Sequence, residues 1–356
     1  MKSLPWILLV AVFAAAPVAA ARQPQQPNPL YSIDVRFLAQ FKAGNLKFGA
    51  LVFLTDHTVA VSLCPYPAPC GMAIFDLSGG LPTLAGQSEG PAGATDLYRA
   101  ADGGLILARI QGFRWWEGMI YSPKLQYAGT VDGVDSVSGT GRLFENSLRK
   151  DGWLISSFAD PSQPLAQGGG LLLGYSDSVV VAQDHDTAIL ENMDGELLAT
   201  LPMADGPRVS MNAYVVGNDK VLLEQSHLTM VNFKGEILYK MRRLDGWGVR
   251  IGQSADGSRL LFDQFTRHVG FWRSFDEDAI AIATLGVGVD DEVSNGEAVT
   301  VIDSSTGRTC FHWQSKNDLL SEGQNHADID PSGKLAAILT VSNIYVYRLP
   351  ETCPAH

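Results

Sequence analysis

The sequence has no GxSxG elbow, no GxGxxG fingerprint and no P-loop. The first absence removes the strand–turn–helix nucleophile of the α/β-hydrolases. The other two remove the glycine-rich cradles of dinucleotide and nucleotide enzymes. Basic residues are scarce, with 26 Lys and Arg against 38 Asp and Glu and a net charge of −12. A field of that sign repels phosphate backbones, so nucleic acid is excluded as a partner. No basic block exists to hold an anionic membrane surface. Past the first residues there is almost no helical periodicity, and no stretch is apolar enough to cross a bilayer. Cysteine is limited to four residues, none in CxxC spacing, which argues against a thiolate zinc site. Charged residues make up only 18% and hydrophobic ones 46%, which is the composition of a globular chain. With 356 residues it is long enough to bury a large core.

What is present begins with an export signal. Lys2 supplies the positive end, Leu4 to Ala16 is mostly apolar, and Pro17 to Ala21 offers small residues for cleavage. The expected division is a signal peptide over 1–21, a disordered Pro/Gln-rich linker over 22–30 and one folded unit over 31–356. Export places the chain in a periplasmic or extracellular, oxidising compartment, where an even number of cysteines reads as disulfides. Cys64 and Cys70 bracket the turn-forming PYPAP, and a loop that short contributes about 2.4 kcal/mol in the chain-entropy model. Cys310 and Cys353 remain for each other, closing a longer loop worth about 4 kcal/mol.

A hairpin pattern then repeats. Residues 325–339 read NHADIDPSGKLAAIL, 252–264 GQSADGSRLLFDQ, 98–109 YRAADGGLILAR, 148–158 LRKDGWLISSF and 212–225 NAYVVGNDKVLLEQ. Weaker copies are VFLTDHTVAVSL at 52–63 and LLGYSDSVVVAQ at 172–183. Each is a polar Asp/Asn/Gly turn entering an apolar or alternating run, the signature of a tight hairpin. A second hairpin often follows, as in MAIFDLSGG at 72–80 and LTMVNFKGEILYKM at 228–241. Together they make four short antiparallel strands per unit.

The second strands of these units are expected near 57, 104, 152, 178, 220, 259 and 334, about 46 residues apart on average. That is the period of propeller blades. The irregular start at 152 has two readings: a truncated blade, or a piece of a larger third blade. The expectation is an all-β chain, a single β-propeller of four-stranded antiparallel blades, with seven blades preferred and six as the alternative. The turns resemble the SPDGK turns of WD40-like, TolB-like and quinoprotein-like β-propellers. The resemblance implies the architecture over most of the mature chain and carries over no functional residues. The alternating segment 30–42 precedes the first unit, and the last unit, ending in NIYVYRLP, lacks a fourth strand. Pairing the two would close the ring and cover its edges.

Several groups are candidates for chemistry. Asp184, His185 and Asp186 could hold a metal or tune an imidazole, though polar residues between two strands are ordinary turn residues. His326 and Asp328 precede and enter the DPSG hairpin, where a histidine either faces the channel or bonds a neighbouring blade. A long insertion, roughly 267–297, carries His268 and the aromatics Phe271, Trp272 and Phe275, a lid or merely a cover. Its acids, Asp276, Glu277, Asp278, Asp290, Asp291 and Glu292, lack the D-x-D-x-D-G spacing of a calcium loop and read as a solvated loop. Trp115 and Trp116 in GFRWWEG would stack on a sugar or peptide if exposed, while adjacent strand residues facing opposite sides favour packing.

The resulting expectation is an exported, monomeric propeller that binds a protein, peptide or glycan without catalysis. No cofactor or resident metal is expected, and calcium is the one ion the acidic insertion would suit. The rival readings are a hydrolase or lyase using channel-facing His and acidic residues, and a redox-cofactor-binding propeller.

Overall fold

A computed structural model describes residues 27–38, 46–65, 68–111, 115–146, 152–184, 187–202, 212–225, 227–242, 247–268, 294–315, 326–340 and 342–354. They form seven four-stranded antiparallel sheets, one per blade. Strand β1 (Tyr31–Asp34) comes first, followed by a 3-10 turn at Arg36–Leu38. Blade 1 is β2–β5 (Leu46–Thr55, Thr58–Pro65, Cys70–Asp76, Thr83–Gly90). Blade 2 is β6–β9 (Ala94–Arg99, Leu105–Gln111, Trp115–Tyr121, Tyr127–Asp132). Blade 3 is β10–β13 (Val134–Val137, Leu143–Asn146, Trp153–Ser157, Pro164–Gly168). Blade 4 is β14–β17 (Leu171–Tyr175, Val179–Asp184, Thr187–Asn192, Leu197–Leu201). Blade 5 is β18–β21 (Asn212–Val216, Lys220–Glu224, His227–Asn232, Ile237–Arg242). Blade 6 is β22–β25 (Trp247–Gln253, Arg259–His268, Ser294–Asp303, Thr309–Ser315). Blade 7 takes β26–β28 (Ala327–Ile329, Leu335–Leu339, Asn343–Arg348) and borrows β1 as its outer strand.

The borrowed strand closes the ring. Tyr31, Ser32, Ile33 and Asp34 pair with Val346, Tyr345, Ile344 and Asn343. Leu30 N–H also donates to Val346 O (2.7 Å). The closing strand is shorter than the alternation over 30–42 suggests. The Asp34 carboxylate accepts the Arg36 backbone N–H (2.9 Å) and meets its guanidinium, and the Leu38 N–H bonds Val35 O. Those local bonds turn the chain out of the sheet after four residues.

Blade 3 corrects the expected register. Trp153–Ser157 is its third strand, not its second, because Gly152 serves the connection entering β12. The true first hairpin turn is Ser138–Gly141, with Gly141 N–H bonding Ser138 O at 2.8 Å. Second strands start at residues 58, 105, 143, 179, 220, 259 and 335, so the blade is complete and not truncated.

The core lies in the seams. Each of seven apolar clusters fills one inter-blade gap, from Val131, Val134 and Phe144 between blades 2 and 3 to the larger set joining blades 7 and 1. Sandwiching between neighbours buries second and third strands on both faces, so Val59–Cys64 and Cys70–Phe75 are continuously buried. Outer strands alternate instead, as β5 does. Where turns of adjacent blades meet, only glycine fits. A Cβ on Gly257 (φ +67°) would lie 2.4 Å from Gly217 N, across the seam of blades 5 and 6.

Both expected disulfides are present, Cys64–Cys70 (Cα–Cα 4.0 Å) and Cys310–Cys353 (4.4 Å). The second ties the outer strand of blade 6 to the segment after β28. Among the described residues no helix is long and apolar enough to cross a membrane.

Ile33 sits on β1 inside the cluster that joins blades 7 and 1 and is 7% exposed. Ile33→Ala is expected to lower stability by about 2–5 kcal/mol in urea unfolding. Deleting residues 31–34 should also bare the edge of β28 and promote self-association, visible in sedimentation. An unchanged midpoint for both variants contradicts closure by β1.

Candidate functional site

Antiparallel blades in one ring present two faces. Connections between second and third strands, and between one blade and the next, fall on one face; turns joining strands one to two and three to four fall on the other. Among the described candidates, Trp115, Trp116, Asp184, His268 and His326 stand at strand ends on the first face. Trp115 and Trp116 open β8 and pair with Gln111 and Ile110. Asp184 ends β15 and pairs with Thr187. His185 and Asp186 lie outside the described residues. His268 ends β23 opposite Ser294. Trp272 and the acids of the insertion lie outside the described residues. His326 immediately precedes β26.

Two of the candidates, His326 and Asp328, stand together on blade 7, beside Asp330 of the DPSG turn. His326 is fully buried, and its carbonyl accepts the Leu339 N–H. Asp328 Oδ2 accepts the Phe53 N–H (2.8 Å), a bond from blade 7 to blade 1 across the closing seam. A Cβ on Gly252 of blade 6 would come within 3.0 Å of Asp328 Oδ1, so this carboxylate touches three blades. Asp330 is fully buried and accepts Lys334 N–H at 2.7 Å and Leu335 N–H at 2.5 Å, with Ser332 Oγ also on its carboxylate. It is the scaffold of the DPSG turn.

A different set forms a polar site at the seam of blades 3 and 4. In β10 the register slips between Val134 and Ser136, leaving Asp135 as a bulged residue. Bulges re-aim side chains. Ser136 Oγ lies 3.1 Å from Glu145 Oε2 and 3.2 Å from the Tyr175 hydroxyl. That hydroxyl donates to Ser136 O (2.9 Å) and accepts the Glu145 N–H (3.0 Å). Burial, reinforced by the neighbouring Asp135 charge and opposed by the Ser136 bond, pushes Glu145 up to about 7. Burial raises Asp135 as well, although the residue is exposed on the innermost strand. Burial also holds the Tyr175 phenol well above its ordinary range, with Tyr98 of blade 2 adding to the effect. The arrangement is a pair of carboxyl groups, of which Glu145 titrates near neutral pH, beside a neutral phenol. Such a pair can accept a cation or exchange a proton.

Sequence reasoning missed this site. Its one local signal is Glu145 at an inward position of LFEN, two residues after the buried Leu143. Further acids are buried elsewhere, Asp96, Glu117, Glu224 and Asp263, and Glu224 is held by Asn212 Nδ2 (3.2 Å) and the Tyr214 hydroxyl (3.1 Å). Among the described residues no group of three or more His, Cys, Asp or Glu is placed to hold a metal ion.

No family model and no curated protein matches the sequence. Solved structures do. The chain is similar to Raptor from Chaetomium thermophilum at 10% identity and a TM-score of 0.57, covering 92% of this chain and 29% of that one. It thus spans less than a third of the Raptor chain. A chain of the mitotic checkpoint complex aligns at 11% identity and a TM-score of 0.48, over 96% of this chain and 99% of that one. The Raptor likeness shows the fold alone, a β-propeller, and the strand order gives it seven blades.

The raised Glu145 fixes a pH dependence. Its folded value of about 7 exceeds the ordinary 4.5, so between those limits the folded state binds more protons than the unfolded one. The stabilisation is complete below pH 4.5 and is lost as pH rises through 7. Its size is about 1–3 kcal/mol for a half-buried group. Glu145→Gln should flatten that slope and be the more stable protein at pH 8, as read by urea unfolding at pH 5, 6.5 and 8. A variant that keeps the wild-type slope contradicts the assignment.

Proposed function

We propose that the chain is an exported, monomeric propeller that binds another protein without catalysis. The observation that carries the reading is an apolar belt on the outer strands of five successive blades. Leu81 and Leu84, Tyr127, Leu165, Leu197 and Leu198, and Ile237 and Leu238 are exposed there, Leu81 at 75%. They stand at or near the start of β5, β9, β13, β17 and β21. Outer strands also carry unpaired backbone groups, so they can dock an extended partner segment by strand addition. Repeated aliphatic exposure favours a protein or peptide over a glycan, whose recognition relies on aromatic stacking and hydrogen bonds. The N-terminal segment read as a signal, together with two disulfides, supports an oxidising, exported location.

A second reading, a hydrolase or lyase, is favoured by Glu145 and Asp135. A carboxyl held near 7 beside a second carboxyl suits general acid and base roles.

The binding reading is tested by photo-crosslinking in the compartment that receives the protein, with the probe placed singly at Leu84, Leu165, Leu197 or Ile237. Discrete adducts at belt positions, lost when Leu197→Lys and Ile237→Lys are combined, are expected. Adducts only from probes on the opposite rim, or none from the belt, overturn it. Turnover of a model substrate that disappears in Glu145→Gln would establish the enzyme reading instead.

A further inference from the structure

The first residue of β23, Arg259, is 9% exposed. Its side chain runs past the DPSG turn of blade 7, where a Cβ on Gly333 would lie 3.0 Å from Arg259 Cγ. Nη2 donates to Pro350 O (3.1 Å) and Glu351 O (2.8 Å), the carbonyls of the C-terminal segment. Nη1 touches the sulfurs of both Cys310 and Cys353. Among the described residues no carboxylate lies within ion-pair distance of this guanidinium. A nearly buried cation met only by neutral groups is an expensive arrangement in a folded protein. Two thiols, once reduced, would supply the missing counter-charge.

We propose that Arg259 activates Cys310 and Cys353 for thiol–disulfide exchange on the assembled ring, making their bond a redox-responsive latch on the C-terminus. A positive charge beside a thiol favours its thiolate, and the thiolate is the attacking species. With a low-molecular-weight disulfide as oxidant, one thiolate attacks an oxidant sulfur and expels a small thiolate, leaving a mixed disulfide. The second protein thiolate then attacks the protein-bound sulfur and expels the other small thiolate. The protein loses two electrons and two protons, and the oxidant leaves as two thiols. The geometry exists only after blades 6 and 7 dock, because Arg259 and Cys310 belong to one and Cys353 follows the other. Cys64 and Cys70 differ. They flank one connection within blade 1, are buried in an apolar cluster and need no second blade to meet. The latch holds the end of blade 7 to its neighbour, so reduction would loosen the blade that carries the ring closure.

The test is the pH profile of alkylation at each cysteine in reduced, folded full-length protein, read by mass spectrometry. In wild type, Cys310 or Cys353 should react with a midpoint well below the ordinary cysteine value of about 8.5. Arg259→Gln should move that midpoint upward and slow reoxidation of the pair by glutathione disulfide at pH 7 about tenfold, leaving Cys64–Cys70 unaffected. Arg259→Lys, which keeps the charge, should retain most of the effect. If Arg259→Gln does not fold, the wild-type profile compared with the same protein in urea decides the matter. A midpoint at the ordinary value in folded wild type overturns the proposal, as does a folded Arg259→Gln protein with wild-type profile and reoxidation rate.

Discussion

The pairing of Tyr31–Asp34 with Asn343–Val346 joins the two ends of the chain, and the other seams depend on it. Each blade buries its apolar faces only against neighbours, so an open array would leave two faces bare. Closure gives the seventh seam its partner, and that seam holds one of the largest apolar clusters, running from Ile33 through Phe53 to Val346. Asp328 adds a polar tie at the same place by capturing the Phe53 N–H from the neighbouring blade. Cys310–Cys353 adds a covalent one on the opposite face. Three kinds of bond therefore converge on the blade assembled from both termini.

The legible part of the fold was the part written in short-range chemistry. Asp330-Pro331-Ser332-Gly333 could be read as a turn because the Asp330 carboxylate bonds the N–H groups of Lys334 and Leu335 within the same turn. The blade period followed from such turns. The third blade was misread where a turn used other means: Ser138 does the capping through its Oγ to the Leu143 N–H, and no Asp-Gly marks it. The long alternation of residues 30–42 predicted a longer strand than exists, since the Asp34–Arg36 bonds end β1 early. Both disulfides were legible because one loop is short and only one pairing then remains.

The polar site was not legible, for a physical reason. Glu145 owes its raised pKa to burial and to Asp135, and its hydroxyl partner Tyr175 comes from the next blade. Seam contacts join residues about one blade apart, and no single-sequence pattern encodes which side chains face each other there. The same limit hid the partner of Asp328, a backbone N–H of blade 1 that lies 275 residues away in sequence. Trp115, Trp116, Asp184 and His268 stand at strand ends on one face by topology alone. Charge follows a related logic. A chain of net charge −12 keeps several acids buried, and their donors can be local, as for Asp330 and Glu224, or from the neighbouring blade, as for Asp328.

The central claim is that closure makes the seven blades one cooperative unit, and native-state hydrogen exchange tests it most directly. If it is right, buried amides of β27 and β28 exchange with the same opening free energy and the same denaturant dependence as those of β3 and β19 in the oxidised protein. Opening of β27 and β28 at much lower free energy, while blades 2 to 5 stay protected, would contradict it, since blade 7 would then be a detachable end and not the keystone of the ring.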